Sequence, residues 1–347
     1  MTPSEGSASF IGAGSSDGLT CALAEAVVTD TIVVGGGLIY AMAADGDRLY
    51  VLNGSGALGD NGFVNVIDTS TNTVSSSIDA GSTPFDLVVG GDALYVSNVN
   101  DGTVSVVDPI GGTVSGVIEV GADPLGLAVS GDRLYVANGT GTVSVIDLHT
   151  NAEIAQIPTA EDPFGVVAEG DRLYVTNYGG RTVSVIDMVT NGIVETNSTV
   201  SGGDARHADG RSYFAAVVGG RLYVANSLTD SLTVVDGSAS AVVDLHPTTS
   251  AVDSIPAGAA PVDVVACGDR VFVGHLSSGT IAVLDTGTNQ IVETIETGIQ
   301  PGLMTASPDG RTIYVADVMG GTVRVISVHR AMMAIADTAT GTAASAP

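Results

Sequence analysis

A short apolar motif built around an aromatic residue recurs along the chain, and it constrains the fold more than any other feature. The motif reads LYVLN, LYVSN, LYVAN, LYVTN, LYVAN, VFVGH and IYVAD, with its aromatic residue at Tyr50, Tyr95, Tyr135, Tyr174, Tyr223, Phe272 and Tyr314. Successive aromatic residues are 45, 40, 39, 49, 49 and 42 positions apart. A period of about 40 residues predicts a propeller or solenoid, in which each unit buries its faces against its neighbours. The repeated tyrosines are therefore expected to pack between units rather than to bind a ligand.

Each copy of this motif is followed by a second one of the type TVSVID, which ends in aspartate in six of the seven units. A carboxylate there can hold the following turn by an Asx-type hydrogen bond. The unit over residues 84–121 contains four β-rich runs separated by Gly, Asp and Asn, the pattern of a four-stranded antiparallel meander. Seven such units predict an all-β fold, a seven-bladed β-propeller of four-stranded antiparallel blades around a central channel.

Glycines precede nearly every aromatic motif, and we expect them to supply positive φ in tight hairpins rather than to bind phosphate. They are Gly46, Gly91, Gly131, Gly170, Gly219 and Gly268.

The domain boundaries follow from where the repeats begin and end. We expect a flexible segment over 1–25, the propeller over 26–330 and a tail over 331–347. The run AVVTDTIVV at 26–34 resembles an outer strand that precedes the first blade, so it is expected to close the ring by pairing with the last blade. A second such run, AMMAIAD at 331–337, competes for that position and is expected to add outside it or to be disordered.

The charge of the chain restricts its partners. There are 38 acidic and 11 basic residues, a formal net charge of −27, and every basic residue is arginine. A field of this sign repels phosphate backbones, so no nucleic-acid partner is expected. Gly, Asp or Asn interrupts every apolar run, so membrane insertion is not expected either. The lysine-free composition is typical of a bacterial protein from a GC-rich genome, with adaptation to high salt as the alternative, and we expect a monomer.

The two cysteines, Cys21 and Cys267, are too few for a disulfide framework, and two thiols are favoured over a bridge. The first 18 residues have neither a basic start nor an apolar core, unlike a secretory signal. The sequence as given predicts a cytoplasmic protein, or an exported one if a signal peptide has been removed.

The motifs LYVTN, LYVAN and LYVSN followed by GTVSVID resemble the YVTN-repeat β-propellers over about residues 26–330. The pattern decays only locally, at Phe272, His275, Asp317 and Ser327. The resemblance implies the propeller fold. Similar propellers include surface-layer repeat proteins, sugar-lactone hydrolases, a haem-carrying nitrite reductase domain, an antibiotic-ring lyase and a periplasmic DNA binder, so the fold does not select a function.

Two insertions point to one rim of the ring. In the meander, the loops from the fourth strand to the next blade and from the second to the third strand lie on the same rim. The insertions 53–62 and 196–214 both fall there, whereas 237–250 falls on the opposite rim. The densest polar cluster lies in the second insertion and comprises Asp204, Arg206, His207, Asp209, Arg211 and Tyr213. Either this loop covers the channel mouth, with Arg206 or Arg211 binding a carboxylate, or it is a solvated loop with internal ion pairs.

Other candidates come from departures from the repeat. His275 replaces the asparagine of the first motif, although ordinary decay of the repeat would also explain it. Asp86 and Asp263 stand where other blades have glycine, near the expected channel mouth, and Tyr178 and Arg181 should share that rim. A metal held by His207, His275 and one of these aspartates is conceivable, but no ligand spacing supports it, so neither a metal nor another cofactor is predicted.

These observations favour a noncatalytic module that binds a small molecule or peptide at the channel mouth, with Asp86, Tyr178, Arg181, Arg206, Asp209 and Tyr213 as ligand-binding residues. The first alternative is a metal-independent lyase, cyclase or lactone hydrolase. Its catalytic residues would be His207 or His275 as acid or base, with Arg211 and Asp86 or Asp263 orienting the substrate. The second alternative is a structural repeat protein of the cell surface.

Overall fold

The computed structural model describes residues 22–35, 37–54, 61–179, 182–198, 215–226, 231–236, 241–247, 260–318 and 320–331. Its regular elements in these ranges are β-strands. The first half contains β1 (Ala22–Val33), β2 (Leu38–Asp45), β3 (Arg48–Gly54), β4 (Asn61–Asp68), β5 (Thr73–Ser82), β6 (Pro84–Gly90), β7 (Ala93–Asn98), β8 (Thr103–Asp108), β9 (Thr113–Glu119), β10 (Pro124–Ser130), β11 (Arg133–Asn138), β12 (Thr142–Asp147), β13 (Ala152–Pro158) and β14 (Pro163–Glu169). The second half contains β15 (Arg172–Asn177), β16 (Thr182–Asp187), β17 (Gly192–Ser198), β18 (Ala215–Val218), β19 (Arg221–Asn226), β20 (Ser231–Asp236), β21 (Ala241–Pro247), β22 (Pro261–Cys267), β23 (Arg270–His275), β24 (Thr280–Asp285), β25 (Gln290–Glu296), β26 (Pro301–Ala306), β27 (Thr312–Asp317) and β28 (Thr322–Ala331).

These strands pair into seven antiparallel sheets of four strands each. We number the sheets as blades in chain order: β2–β5 form blade 1, β6–β9 blade 2, β10–β13 blade 3, β14–β17 blade 4, β18–β21 blade 5 and β22–β25 blade 6. Blade 7 contains β26–β28 and β1. The first strand of each blade contacts the first strand of the next, and β26 contacts β2. The predicted all-β propeller of four-stranded antiparallel blades is confirmed.

The first strand of the chain lies at the outside of blade 7. β1 pairs with β28 in antiparallel fashion, from Ala22 opposite Ala331 to Val33 opposite Thr322. The N-terminal segment therefore occupies the closing position expected for it, and it begins four residues earlier than predicted. β28 extends to Ala331, and the rest of the two predicted terminal segments lies outside the described residues.

The core lies between the blades. A cluster of buried apolar side chains separates each blade from the next, such as Val88, Tyr95 and Leu127 between blades 2 and 3. The three inner strands of a blade are buried on both faces, whereas the outer strand buries few residues, as in β9 with a single buried position. Continuous Val, Leu and Tyr runs fit the inner positions because both faces of those strands pack against apolar neighbours.

The turns differ between the two rims of the ring. We call the rim with the loops into the first strand and from second to third strand the DA/BC rim, and the opposite one the AB/CD rim. The six predicted hairpin glycines on the AB/CD rim have φ between 56° and 64°, which confirms their conformational role. On the same rim, the Oδ1 atom of Asp147 accepts the N–H groups of His149 and Thr150. The Asx-type turn predicted for the second motif is therefore present.

Candidate functional site

The inner part of the DA/BC rim is shaped by an irregularity at the start of the first strands. In six blades the pairing of the first with the second strand is interrupted after its first residues, as between Pro84 and Leu87 in blade 2. A residue in such a bulge is not paired in the regular ladder of hydrogen bonds, and its side chain points in a different direction from that of a regularly paired residue. In five of these blades the bulge contains a partly exposed apolar or aromatic residue, namely Tyr40, Phe85, Leu125, Phe164 or Val262, whereas blade 7 has the buried Gly302 and Leu303 there. The channel mouth is therefore lined by apolar and aromatic side chains.

Two of these side chains meet although they belong to blades that are not adjacent. The rings of Phe85 in blade 2 and Phe164 in blade 4 lie edge to face, with centroids 5.3 Å apart and an interplanar angle of 90°. Gly126 of blade 3 permits the close approach, since a Cβ atom there would lie 2.6 Å from the carbonyl oxygen of Phe164. Beneath the two rings is a cavity of about 10 Å³. That volume is about the size of one water molecule.

Asp86 is buried beside this apolar mouth. Its Oδ1 atom accepts the N–H of Leu87, and its Oδ2 atom accepts the N–H of Leu127 in blade 3 at 2.8 Å. Ser97 donates to the carbonyl oxygen of Leu125, which ties the same two blades together. Burial raises the pKa of Asp86 to about 7, although the two backbone N–H groups act in the opposite direction.

Asp263 has the same arrangement in blade 6. Its carboxylate accepts the N–H of Val264 and, across the blade junction, the N–H of Met304. Burial raises the pKa of this carboxyl group well above its usual value, and the charge of Asp86 raises it further, against the N–H groups of Met304 and Val264. The two aspartates thus interact electrostatically, and each joins its blade to the next one. Their predicted role in binding a substrate or ligand stays a prediction.

His275 lies at the end of β23 and is fully buried. In blades 2 to 4 the equivalent asparagine donates to a threonine and a serine of the third strand, as Asn138 does to Thr142 and Ser144. In blade 6 the threonine is retained as Thr280 opposite His275, but the serine is replaced by Ala282. A catalytic role for His275 would require a movement that uncovers its ring, and it stays a prediction.

The remaining candidates are placed only in part. Tyr178 is half-buried on the DA/BC rim, where its N–H donates to the carbonyl oxygen of Asp162 at 2.7 Å. The other predicted site residues lie outside the described residues: Arg181, Asp204, Arg206, His207, Asp209, Arg211 and Tyr213. The described part of the chain contains no group of three or more His, Cys, Asp or Glu side chains that could hold a metal ion.

The aromatic residues of the channel mouth lie outside the two repeated motifs, near the beginning of the first strands. Lining up Tyr40, Phe85, Leu125, Phe164 and Val262 by their distance from the repeated aromatic residue would have revealed them. Tyr213 has the same spacing in blade 5, so the alignment also connects one predicted residue with this set. The chain is only 4% aromatic, which makes this concentration at one position of the repeat a usable signal.

Comparison with solved structures supports the fold. Hydrazine synthase from Kuenenia stuttgartiensis is similar over 92% of this chain and 100% of the compared chain, with a TM-score of 0.69 and 20% sequence identity. At that identity the similarity concerns the fold alone. No match was found among the curated proteins. Nowhere in the described ranges is there a helix with the length and apolar character needed to cross a bilayer.

A family model described as the outer membrane protein assembly factor BamB matches residues 100–342 of this chain. The match spans blades 3 to 6, the strands β26–β28 of blade 7 and the strands β8 and β9 of blade 2, so it rests on the repeats rather than on one local motif. The propeller implied by the YVTN resemblance is thereby supported, whereas membership of the YVTN family itself stays a prediction. The chain belongs to the family of the outer membrane protein assembly factor BamB.

Proposed function

We propose that this protein is a noncatalytic binding module, a closed seven-bladed ring that binds an apolar segment of a partner polypeptide across the channel mouth on the DA/BC rim. The observation that carries the proposal is the contact of Phe85 with Phe164, two partly exposed rings on nonadjacent blades. Exposed aromatic side chains supply much contact area at low cost in conformational entropy, and they dominate many protein interfaces.

The small size of the cavity beside Phe85 and Phe164 favours a polypeptide over a small molecule at this place. The cavity below the rings has a volume of about 10 Å³, whereas pockets for small ligands usually measure about 300–1,000 Å³. A ligand on this side would therefore lie over the mouth and contact Phe85, Leu125 and Phe164 from outside.

The charge around the mouth suggests the chemistry of the partner. Asp101, Asp123, Glu161 and Asp162 are exposed on the loops of blades 2 to 4. Carboxylates around an apolar centre favour a segment with apolar anchors and flanking basic residues, since complementary charges raise the association rate and exclude acidic competitors. The insertion 196–214, with Arg206, His207, Asp209, Arg211 and Tyr213, would contribute further contacts on this rim.

The family name points in the same direction. An assembly factor acts on other proteins, and the family is named for one that serves outer membrane proteins. By analogy, we propose that this chain binds segments of other proteins and that it acts outside the cytoplasm.

To test the proposal, a display library of short linear peptides is selected for binding to the purified protein. Fluorescence anisotropy then gives their dissociation constants for the wild type and for the double variant Phe85→Ala, Phe164→Ala. We expect binding to weaken by about tenfold or more, since a truncated aromatic anchor costs about 2 kcal/mol or more. The matched control is Ile154→Ala, which removes an exposed apolar side chain from the outer strand of blade 3.

Equal affinity of the selected peptides for the wild type and the double variant would refute this site. Deletion of 204–212 should also weaken binding if that loop takes part, without changing the fold measured by circular dichroism.

The enzyme alternative is favoured by one observation, the carboxyl group of Asp86, which lines the cavity and has a pKa of about 7. A group that titrates near neutral pH suits general acid–base catalysis. The double variant His207→Ala, His275→Ala and the variant Asp86→Asn should then each abolish turnover of a lactone or cyclic substrate, whereas the binding proposal predicts no turnover in the wild type.

A further inference from the structure

A groove lies on the AB/CD rim between blades 2 and 3, opposite the proposed binding mouth. It has a volume of about 470 Å³, and its lining includes Asp92, Ala93, Asp108, Asp132 and Leu148. Volumes of this size are usual for ligand sites.

The groove is open because of a departure at the first residue of the second strand. Five of the seven blades have arginine at that position, namely Arg48, Arg133, Arg172, Arg221 and Arg270. Blade 2 has Ala93 instead, and blade 7 has Thr312. In blade 2 the long basic side chain is therefore replaced by a methyl group.

The arginines at this position bind two kinds of acceptor. Arg133 donates to the carbonyl oxygen of Met188 in the next blade at 2.9 Å, and Arg221 donates in the same way to Thr286 at 2.9 Å. In both cases the acceptor follows the aspartate that ends the third strand of the neighbouring blade.

The other acceptor is the aspartate at the end of the third strand in the arginine's own blade. Arg172 donates to Asp187 in blade 4 at 2.8 Å, and Arg270 donates to Asp285 in blade 6. Four guanidinium groups of the chain are thus bound at this position, two by a carbonyl oxygen of the next blade and two by a carboxylate of the same blade.

Blade 2 retains the positions of both acceptors without the arginine. Asp108 corresponds to Asp187 and Asp285, and Leu148 corresponds to Met188 and Thr286. Both line the groove, together with the exposed carboxylates of Asp92 and Asp132. His149 Nε2 lies 3.4 Å from Asp132 Oδ2, and no arginine is among the lining residues in the described part of the chain.

The junction between blades 5 and 6 is a close counterpart. Tyr95 donates to Asn151 Oδ1 across the junction of blades 2 and 3, and Tyr223 donates to Asn289 Oδ1 across that of blades 5 and 6, both at 3.1 Å. The two junctions therefore share this cross-blade bond, and they differ in that Arg221 is present in one and Ala93 in the other.

We propose that the groove between blades 2 and 3 binds the guanidinium group of another molecule, in the place that Arg133 takes between blades 3 and 4 and Arg221 between blades 5 and 6. The planar group would bridge Asp108 and the carbonyl oxygen of Leu148, with Asp92 and Asp132 adding attraction. The net charge of −27 raises the local concentration of such cations. The guanidinium can come from an arginine side chain of a polypeptide or from a small guanidino compound.

The experiment titrates the full-length protein by isothermal calorimetry at low salt with four probes. These are capped Gly-Arg-Gly, its citrulline and lysine counterparts, and agmatine. The arginine peptide or agmatine should bind with one site per chain, the lysine peptide more weakly, and the citrulline peptide not at all, because citrulline keeps the shape and loses the charge. Tighter binding of the peptide identifies a polypeptide ligand, and tighter binding of agmatine identifies a small one.

Three variants make the assignment specific to the groove. Ala93→Arg supplies the internal guanidinium and should abolish binding, whereas Asp108→Asn should weaken it by about tenfold through loss of a charged acceptor. Arg133→Ala opens the corresponding groove between blades 3 and 4 and should add a second site. Binding that survives Ala93→Arg and Asp108→Asn, or the absence of binding by both guanidinium probes, would overturn the proposal.

Discussion

The carboxylate of Asp86 in blade 2 accepts a hydrogen bond from the backbone N–H of Leu127 in blade 3, with 2.8 Å between the Oδ2 and N atoms. Asp263 does the same for Met304 in the next blade, across the same sequence separation of 41 residues. Two junctions of the ring are therefore joined by a buried carboxylate near the channel. Because a buried charge is costly, the stability that these two contacts contribute depends on pH.

The stability contributed by Asp86 should fall as the pH rises. Its pKa is about 7 in the folded chain against 3.8 for the free side chain, so the folded state binds more protons between these values. The contribution is complete below about pH 3.8 and is lost as the pH rises through about 7. At about 1.4 kcal/mol per pKa unit, the difference in unfolding free energy between the wild type and Asp86→Asn should change by roughly 4 kcal/mol from pH 4 to pH 8.

Urea denaturation followed by circular dichroism at several pH values measures this difference. Asp123→Asn, which removes an exposed carboxylate from the same rim, serves as the control. A flat profile for Asp86→Asn would contradict the assignment.

Gly126→Ala should destabilise the ring at the junction of blades 3 and 4. The added Cβ would lie 2.6 Å from the carbonyl oxygen of Phe164 and 3.0 Å from the Cα atom of Gly165, and both are backbone atoms that cannot rotate away. Overpacking of this kind costs about 1–3 kcal/mol. Gly116→Ala is the matched control, because its Cβ would meet nothing closer than 3.8 Å, and alanine in a strand should gain about 0.5 kcal/mol. Chemical denaturation of both variants measures their free energies of unfolding, which should fall below the wild-type value for Gly126→Ala and rise above it for Gly116→Ala.

Ala260→Gly should stabilise the protein, contrary to the usual effect of glycine. Ala260 has φ of 44°, in the left-handed region, immediately before Pro261. Glycine relieves about 1 kcal/mol of backbone strain there. Ala152 is exposed at the start of a strand and does not have a positive φ. The variant Ala152→Gly should therefore lose about 0.5–1 kcal/mol of unfolding free energy. Thermal melting of the two variants should move in opposite directions, and a loss for both would show that Ala260 is not strained.

Acid should weaken the Asx-type turns of the AB/CD rim. Backbone N–H groups lower the pKa of Asp108 and Asp147, and that of Asp187 is lowered in the same way. Groups with a lowered pKa stabilise the fold above about pH 3.8, and that stabilisation is lost as the pH falls through their folded values.

The triple variant Asp108→Asn, Asp147→Asn, Asp187→Asn keeps the Oδ1 acceptors. It should therefore lose less stability than the wild type between pH 5 and pH 3, as measured by urea midpoints. An equal loss in both proteins would mean that other carboxylates control acid unfolding.

The repeats predicted the blades because each strand is specified locally. The run TVSVID is the strand β12 (Thr142–Asp147), with its aspartate at the turn, as the pattern of β-branched residues and turn residues indicates. What lies between blades was not predictable in this way. The bond from Asp86 to Leu127 joins residues of two repeats, and an alignment of repeats shows equivalent positions without showing which neighbour each one contacts.

The candidate site was predicted less well, for a physical reason. His275 departs from the repeat in the sequence, but the structure places it fully buried at the end of β23, together with a change from serine to Ala282 in the third strand. Ala93 is an equally clear departure from the repeat. Its consequence, a groove with unoccupied acceptor positions, can be inferred only from the acceptors that Arg133 and Arg221 bind in the structure. The effect of a missing side chain becomes visible only when its partners are known.

The pairing of β1 with β28 also governs how the chain can fold. Residue 22 lies opposite residue 331, so blade 7 cannot be completed until nearly the entire repeat array has left the ribosome. Until then β1 is an unpaired edge that other chains could join, and the ring closes through a contact of very high sequence separation. We therefore expect slow refolding limited by this closure, with aggregation at high concentration as its competitor.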